Sequence, residues 1–143
     1  MNKVLKNINF WGMLICNLVI GNFTMWHLNS AYEYGFKPFI SFSIPAILSY
    51  FILFFLINFG KSTNWKLLLY SFGISVIILF INCIVFGIIM ELSEPVGLNI
   101  IGFGIYGIFM TMHCNLFITI ITFLWLLKEK NDYKKKNEIN TNN

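Results

Sequence analysis

Long apolar stretches alternate with short polar segments along the chain. Each stretch reaches or exceeds the roughly 20 residues that a helix needs to cross a hydrocarbon core of about 30 Å. The four stretches cover about residues 8–28, 39–59, 65–90 and 96–127. Proline or short polar runs separate them, as is typical of turns between helices. The pattern therefore predicts an all-α fold, an integral membrane bundle of four transmembrane helices.

The composition agrees with a membrane-embedded domain. Only 11% of the residues are charged and 57% are hydrophobic, whereas soluble domains carry about 25% charged residues. A soluble globular protein is therefore disfavoured, and the high apolar content argues against disorder of the whole chain. We assign residues 1–127 to one four-span membrane domain. Residues 128–143 are rich in Lys and Asn, and we expect them to form a polar, disordered cytoplasmic tail.

The lysines fall mainly on one side of the predicted membrane, which orients the bundle because loops rich in Lys or Arg stay in the cytoplasm. That side carries Lys3, Lys6, Lys61, Lys66, Lys128, Lys130, Lys134, Lys135 and Lys136. The opposite side carries Glu33, Lys37, Glu91 and Glu94. We expect both termini in the cytoplasm and a multi-pass protein of the cell membrane. Cleavage of residues 8–28 as a signal peptide is the alternative, but no good small-x-small site follows them.

Small and polar residues mark the predicted contact faces, because helices in lipid associate through small side chains and interhelical hydrogen bonds. A packing face of the fourth stretch contains Gly104, Gly107, Thr111, Asn115 and Thr119, and Thr122 continues the same stripe. A second stripe, nearly opposite, contains Asn99, Gly102, Tyr106 and His113. Two faces predict that this helix is central or is shared with a second protomer. The alternative is that the second stripe holds one hydrogen-bonded histidine and scattered small residues.

Four polar residues lie near mid-membrane depth, namely Asn17, Asn82, His113 and Asn115. At 1.5 Å per residue, they form a candidate polar cluster if their helices are neighbours. His113 is the only ordinary acid–base group deep in a stretch, which makes it a candidate proton relay, metal or haem ligand, or substrate contact. The simpler interpretation is a neutral imidazole that is hydrogen-bonded to a neighbouring helix.

The interiors of the four stretches contain no Asp, Glu, Lys or Arg, and the chain has no Arg at all. Proton-coupled pumps generally need a membrane-embedded carboxylate, and voltage sensors need a basic helix. Without Arg, bidentate capture of phosphate by guanidinium is also excluded. Cys16, Cys83 and Cys114 lie in different stretches without CxxC spacing. We therefore expect no catalytic, cofactor-binding or metal-binding residues, and no nucleic-acid partner.

The predicted function is that of a non-enzymatic membrane protein that acts through helix–helix interaction with a membrane partner. It would be an accessory or subunit of a complex, or an immunity-type protein. The expected partners are the lipid bilayer and either another membrane protein or a second copy of the chain. One alternative is an oligomeric channel or facilitator for a small solute, lined by Asn82, His113 and Asn115. A second alternative is an intramembrane haem- or metal-binding enzyme.

Overall fold

The residues described by the computed structural model, which are 4, 6–28, 37–93 and 100–141, form an all-α fold. Side chains are described for residues 4, 6–23, 39–40, 42–85, 87–89, 92, 112 and 115–138. This part of the chain contains four helices and no strand. The helices are α1 (Ile8–Leu28), α2 (Lys37–Leu56), α3 (Asn64–Ser93) and α4 (Ile100–Thr141).

Side-chain caps mark where two of the helices begin. Asn7 precedes α1, and its Oδ1 accepts hydrogen bonds from the backbone N–H groups of Asn9 at 2.9 Å and Phe10 at 3.3 Å. Thr63 precedes α3, and its Oγ1 accepts from the N–H of Lys66 at 3.3 Å. The first-turn amides of a helix have no partner within the helix, so a preceding polar side chain stabilises the helix start.

The four helices pack as a ring in chain order, with α4 returning to α1. Both α1 and α3 pack against α2 and α4, and the contact between α3 and α4 is the most extensive. Neighbours run antiparallel: Asn22 of α1 bonds Ser43 of α2, whereas Phe10 near the start of α1 packs on Phe54 near the end of α2. The start of α1, the turn between α2 and α3, and the end of α4 therefore share one end of the bundle.

An aromatic layer closes the core near that end. The ring of Phe10 lies edge-on to the rings of Phe51 and Phe54, with centroids 4.9 and 5.2 Å apart. Phe54 in turn lies 5.5 Å from Phe59 in the following turn. Edge-to-face pairs of this kind stabilise a core beyond the area that they bury. The layer therefore joins α1 to α2 and to the turn after it.

Two glycines let aromatic rings approach the backbone of α1. Gly12 lies directly against the indole ring of Trp125 on α4, and Gly21 lies directly against the ring of Phe42 on α2. A Cβ at either position would overlap the ring. Small residues permit close approach of this kind between helices. Glycine is therefore required at both positions for α1 to pack as it does.

The first three helices lie where the apolar stretches predict them. The ends of α1, α2 and α3 differ from the predicted bounds by at most three residues. The fourth helix is described from Ile100, because residues 94–99 lie outside the described part of the chain. The prediction of an all-α fold is confirmed for the residues that the structure describes.

The predicted disordered tail does not match the structure. Helix α4 continues without a break past residue 127 and ends at Thr141. This segment contains neither Gly nor Pro, and its Lys and Glu residues are good helix formers. Extending an existing helix also avoids the cost of nucleating a new one. A polar composition is therefore compatible with helix here, because α4 is already formed inside the bundle.

One segment of the described chain, Asn64–Ile89 in α3, is long and apolar enough to cross a membrane by length and composition. Shorter apolar segments are Ile8–Phe23 in α1 and Phe42–Leu56 in α2. At 1.5 Å per residue the α3 segment extends about 39 Å, which exceeds the roughly 30 Å of a hydrocarbon core.

Candidate functional site

Three buried polar side chains meet at the centre of the bundle, one each from α1, α2 and α4. The Nδ2 of Asn17 donates to the Oγ1 of Thr122 at 3.2 Å, and that Oγ1 lies 3.0 Å from the hydroxyl oxygen of Tyr50. All three side chains are 0% exposed. Because α2 and α4 occupy opposite corners of the ring, the contact between Tyr50 and Thr122 joins the bundle across its diagonal. We refer to Asn17, Tyr50 and Thr122 as the central triad.

Helical spacing directs the triad residues inward. On α4, Thr122 lies one turn from Ile118 and one turn from Leu126, and all three are buried. On α1, Asn17 lies one turn from the buried Met13, and its Nδ2 also donates to the Met13 carbonyl oxygen at 3.0 Å. Amide and hydroxyl groups in an apolar core form strong hydrogen bonds and are costly when unpaired. The triad therefore fixes the register of three helices.

Two further hydrogen bonds join neighbouring helices. Asn22 of α1 donates to Ser43 of α2 at 3.0 Å. The hydroxyl oxygens of Ser75 on α3 and Thr119 on α4 lie 2.8 Å apart. Such bonds contribute about 0.6 to 2 kcal/mol each in membrane helices. They hold the helices in register more than they determine total stability.

Two residues of the predicted polar cluster, Asn17 and Asn115, lie at different levels along the bundle. Asn17 lies level with Thr122, to which it is bonded. Asn115 lies seven residues before Thr122 on α4, which is about 10 Å along the helix. This offset agrees with the order of depths counted from the sequence, and the candidate cluster of these residues stays a prediction.

Asn82 and Asn115 lie nearer to each other. Because Ser75 faces Thr119 in an antiparallel pair, Asn82 falls within about one turn of Asn115 along the helices. Neither Oδ1 atom has a hydrogen-bond partner among the described residues. The His113 side chain lies outside the described part of the chain, so its role stays a prediction.

The second half of the predicted packing face on α4 is directed into the bundle. Thr119 contacts Ser75 and is half-buried, as is Asn115. The first half of that face, Gly104, Gly107 and Thr111, lies outside the described side chains, as does the second stripe of Asn99, Gly102, Tyr106 and His113. Helix α4 packs against α1 and α3 at a corner of the ring, rather than at its centre.

A polar cluster that the sequence pattern does not predict lies where the start of α1 meets α4. Glu129 accepts hydrogen bonds from Asn7 Nδ2 on Oε1 and from Asn9 Nδ2 on Oε2, both at 2.7 Å. The Oδ2 of Asp132 accepts from the same Asn9 nitrogen at 2.8 Å. Carboxylates at a helix start are also favoured by the helix dipole. This end cluster of Asn7, Asn9, Glu129 and Asp132 holds the polar extension of α4 against α1.

A lysine makes the matching contact with α3. The Nζ of Lys130 donates to the Oδ1 of Asn64 at 2.6 Å, and Lys130 is only 9% exposed. The sequence does carry a signal for both contacts, because polar residues flank the first, third and fourth apolar stretches on the same predicted side. A disordered segment at residues 128–143 would make no fixed contacts, so the prediction of disorder missed both of these contacts.

The chemistry of these contacts is hydrogen bonding among amides, hydroxyls and, at one end, carboxylates. Within the described residues, no group of three or more His, Cys, Asp or Glu side chains is placed to hold a metal ion. Cys16 on α1 and Cys83 on α3 are free thiols.

No family model matches the sequence, and no curated protein or solved structure is found to be similar to it. The functional conclusion therefore depends on the contacts and surfaces of the chain itself.

Proposed function

We propose that the chain is an integral membrane protein whose four helices all cross the lipid bilayer. The observation that supports this proposal is that polar side chains lie inside the bundle and large apolar side chains lie on its surface. Asn17 and Asn82 are buried, whereas Val19, Phe55 and Phe80 are 62%, 71% and 61% exposed. Soluble monomers rarely expose contiguous apolar patches larger than a few hundred Å². Lipid is the surrounding medium in which such a surface is stable.

Helix lengths support the same arrangement. Helices α1 and α2 contain 21 and 20 residues, and at 1.5 Å per residue each extends about 30 Å, the thickness of a hydrocarbon core. Helices α3 and α4 contain 30 and 42 residues. Both exceed the core thickness, and the polar extension of α4 accounts for much of its additional length.

We place both termini in the cytoplasm. The contacts of Glu129 with Asn7 and of Lys130 with Asn64 bring the lysine-rich segments to one end of the bundle. Positively charged segments stay in the cytoplasm. The Lys135→Cys variant in sealed cells tests the orientation, with the unmodified chain as background. We expect labelling by a membrane-impermeant thiol reagent only after permeabilisation, and labelling in intact cells would contradict it.

The proposed action is binding of a helix of another membrane protein or of a second copy, without catalysis. The supporting observation is the outer face of α3. A Cβ built on Gly73 meets no atom of the described residues within 4 Å. Exposed apolar side chains surround it, namely Leu69, Phe72, Val76, Ile77 and Phe80. A small residue flanked by larger apolar ones lets a second helix approach closely. The protein would then serve as an accessory, a complex subunit or an immunity-type protein.

Crosslinking in the native membrane, followed by mass measurement in mild detergent, tests this function. We expect the unmodified chain to be recovered with a partner or as a dimer. The Gly73→Trp variant should be recovered alone, because the indole fills the open position. Val19→Trp, on the exposed face of α1, is the matched control and should retain the partner. A strictly monomeric unmodified chain with no partner would contradict the proposal.

A facilitator for a small solute is the second candidate function. The observation that favours it is the pair of unpartnered amide oxygens on Asn82 and Asn115 within about one turn of each other. Flux in reconstituted vesicles that is lost in Asn82→Leu and His113→Ala would support it. Flux that is equal to that of empty vesicles would remove it. The haem- or metal-binding enzyme stays a prediction from sequence.

A further inference from the structure

The central triad leaves one hydrogen-bond acceptor unused. Asn17 Nδ2 donates its two hydrogens to the Met13 carbonyl at 3.0 Å and to Thr122 Oγ1 at 3.2 Å. Asn17 Oδ1 is buried, and no described residue donates to it. An amide oxygen has two lone pairs, and leaving both unpaired in a core is costly. The oxygen therefore requires a donor.

The two hydroxyls of the triad leave one hydrogen unused. A single contact of 3.0 Å joins Tyr50 and Thr122, and it uses one of their two hydrogens whichever hydroxyl donates. The other contact of Thr122 is with Asn17, in which Thr122 is the acceptor. Among the described residues the structure shows no further acceptor for either hydroxyl. The triad therefore requires one acceptor in addition to one donor.

Exchanging the positions of Oδ1 and Nδ2 in the Asn17 amide does not pair all of these groups. The exchange would let Oδ1 accept from Thr122, and side-chain amides are often assigned by such tests. It would also place an oxygen 3.0 Å from the Met13 carbonyl oxygen. Both N–H groups of the amide would then lose their acceptors. The orientation found in the structure is therefore the one that satisfies more groups.

We propose that the central triad binds one water molecule, which donates to Asn17 Oδ1 and accepts the remaining hydroxyl hydrogen. Water is the smallest neutral molecule that both donates and accepts. All three triad side chains are 0% exposed, and this enclosure favours the smallest ligand. Buried waters typically make about three hydrogen bonds to groups that the protein leaves unpaired. The site does not depend on the proposed partner of α3.

Radiolytic footprinting of the intact protein in detergent tests the site. Radiolysis of a bound water produces hydroxyl radicals that oxidise side chains beside it. Met13 is 0% exposed and lies one turn from Asn17. Phe10, also 0% exposed and about one turn further along α1, is the matched control. With each rate divided by its value in the unfolded chain, we expect oxidation of Met13 and protection of Phe10.

Two outcomes would overturn the proposal: protection of Met13, or equal oxidation of Met13 and Phe10, which indicates opening of the bundle. Variants give a second readout. Asn17→Leu removes the acceptor of the water, and Thr122→Val removes the hydroxyl that joins the triad, so each should abolish oxidation of Met13. If either variant does not fold, the unmodified chain alone decides.

Discussion

Helices α1 and α3 occupy opposite corners of one ring and contact the same two helices, but two glycines of α1 and one glycine of α3 have opposite surroundings. On α1, Gly12 and Gly21 are covered by the rings of Trp125 and Phe42. On α3, Gly73 faces outward, and a Cβ there would meet no described atom within 4 Å. The two glycines of α1 let neighbouring helices pack closely, whereas Gly73 on α3 leaves an open position on an apolar surface.

The difference shows that the role of a small residue in a helix depends on what lies against it. A glycine covered by a ring belongs to the internal packing of the chain. An uncovered glycine on an apolar face is a position where another helix can approach. Gly12 and Gly21 therefore serve the contacts of α1 within the bundle, whereas Gly73 leaves room for a second helix on the outer face of α3. Four substitutions test this contrast.

Gly21→Ala on α1 should have the largest effect. The added methyl group overlaps Phe42, whose ring is 2% exposed and is enclosed by the core. Overpacking of a core costs about 1 to 3 kcal/mol. We expect that loss in the free energy of unfolding, measured in mixed detergent micelles. The double variant Gly21→Ala, Phe42→Leu should recover part of it, and strict additivity of the two losses would contradict a direct contact.

Glu129→Gln should have the next largest effect, because it weakens the end cluster that fastens α4 to α1. The two carboxylate oxygens accept from Asn7 and Asn9, and an amide offers only one oxygen. Hydrogen bonds to charged groups contribute about 1.5 to 3 kcal/mol, and we expect about 1.5 kcal/mol because Glu129 is only half-buried. Amide hydrogen exchange over residues 128–138 should accelerate. Lys135→Gln is the exposed control, and an equal acceleration in both variants would argue against the cluster.

Ser75→Ala, at the contact of α3 with α4, should cost less. The hydroxyl lies 2.8 Å from that of Thr119, and such interhelical bonds average about 0.6 kcal/mol. Ser71→Ala is a matched control on the same helix, because the Ser71 hydroxyl donates to the Leu67 carbonyl within α3. We expect a smaller loss for Ser71→Ala in the same unfolding measurement. Equal losses would show that the interhelical bond adds nothing.

Gly73→Ala should have the smallest effect and the opposite sign. The added methyl group enters open space, and replacing Gly by Ala in a helix stabilises by about 0.4 kcal/mol or somewhat more. The free energy of unfolding should therefore stay the same or rise slightly. A loss as large as that of Gly21→Ala would remove the contrast between α1 and α3.

The positions of the helices were predictable because the length of an apolar stretch is enough to indicate a helix. In a stretch of about 20 apolar residues, helix formation satisfies every backbone group internally. The continuation of α4 to Thr141 was missed because a polar composition was taken as a sign of disorder. The contacts that hold its first turns against α1 are made by residues far apart in sequence. Glu129, for example, is held by Asn7 and Asn9. No local pattern around residue 129 contains that information.

The candidate site was predictable only in part, and for a related reason. Asn17 and Thr119 were identifiable as polar groups in apolar stretches, and both do contact another helix. Tyr50 lies in a run of aromatic and aliphatic residues, so the sequence predicts only that it belongs to the core. The role of its hydroxyl is visible only in the fold, where it contacts Thr122. The depth of a residue can be counted from sequence, but the identity of its neighbour depends on the order of the helices in the ring.

The continuity of α4 has a mechanical consequence. The helix runs for 42 residues, about 63 Å, from the bundle into the exposed lysines at positions 134–136 without a hinge. Thr122 and Glu129 hold one side of this rod against α1 at two levels. A tilt of one end of the rod would be carried directly to the other end. Helix α4 therefore forms a rigid link between the polar centre of the bundle and its charged end.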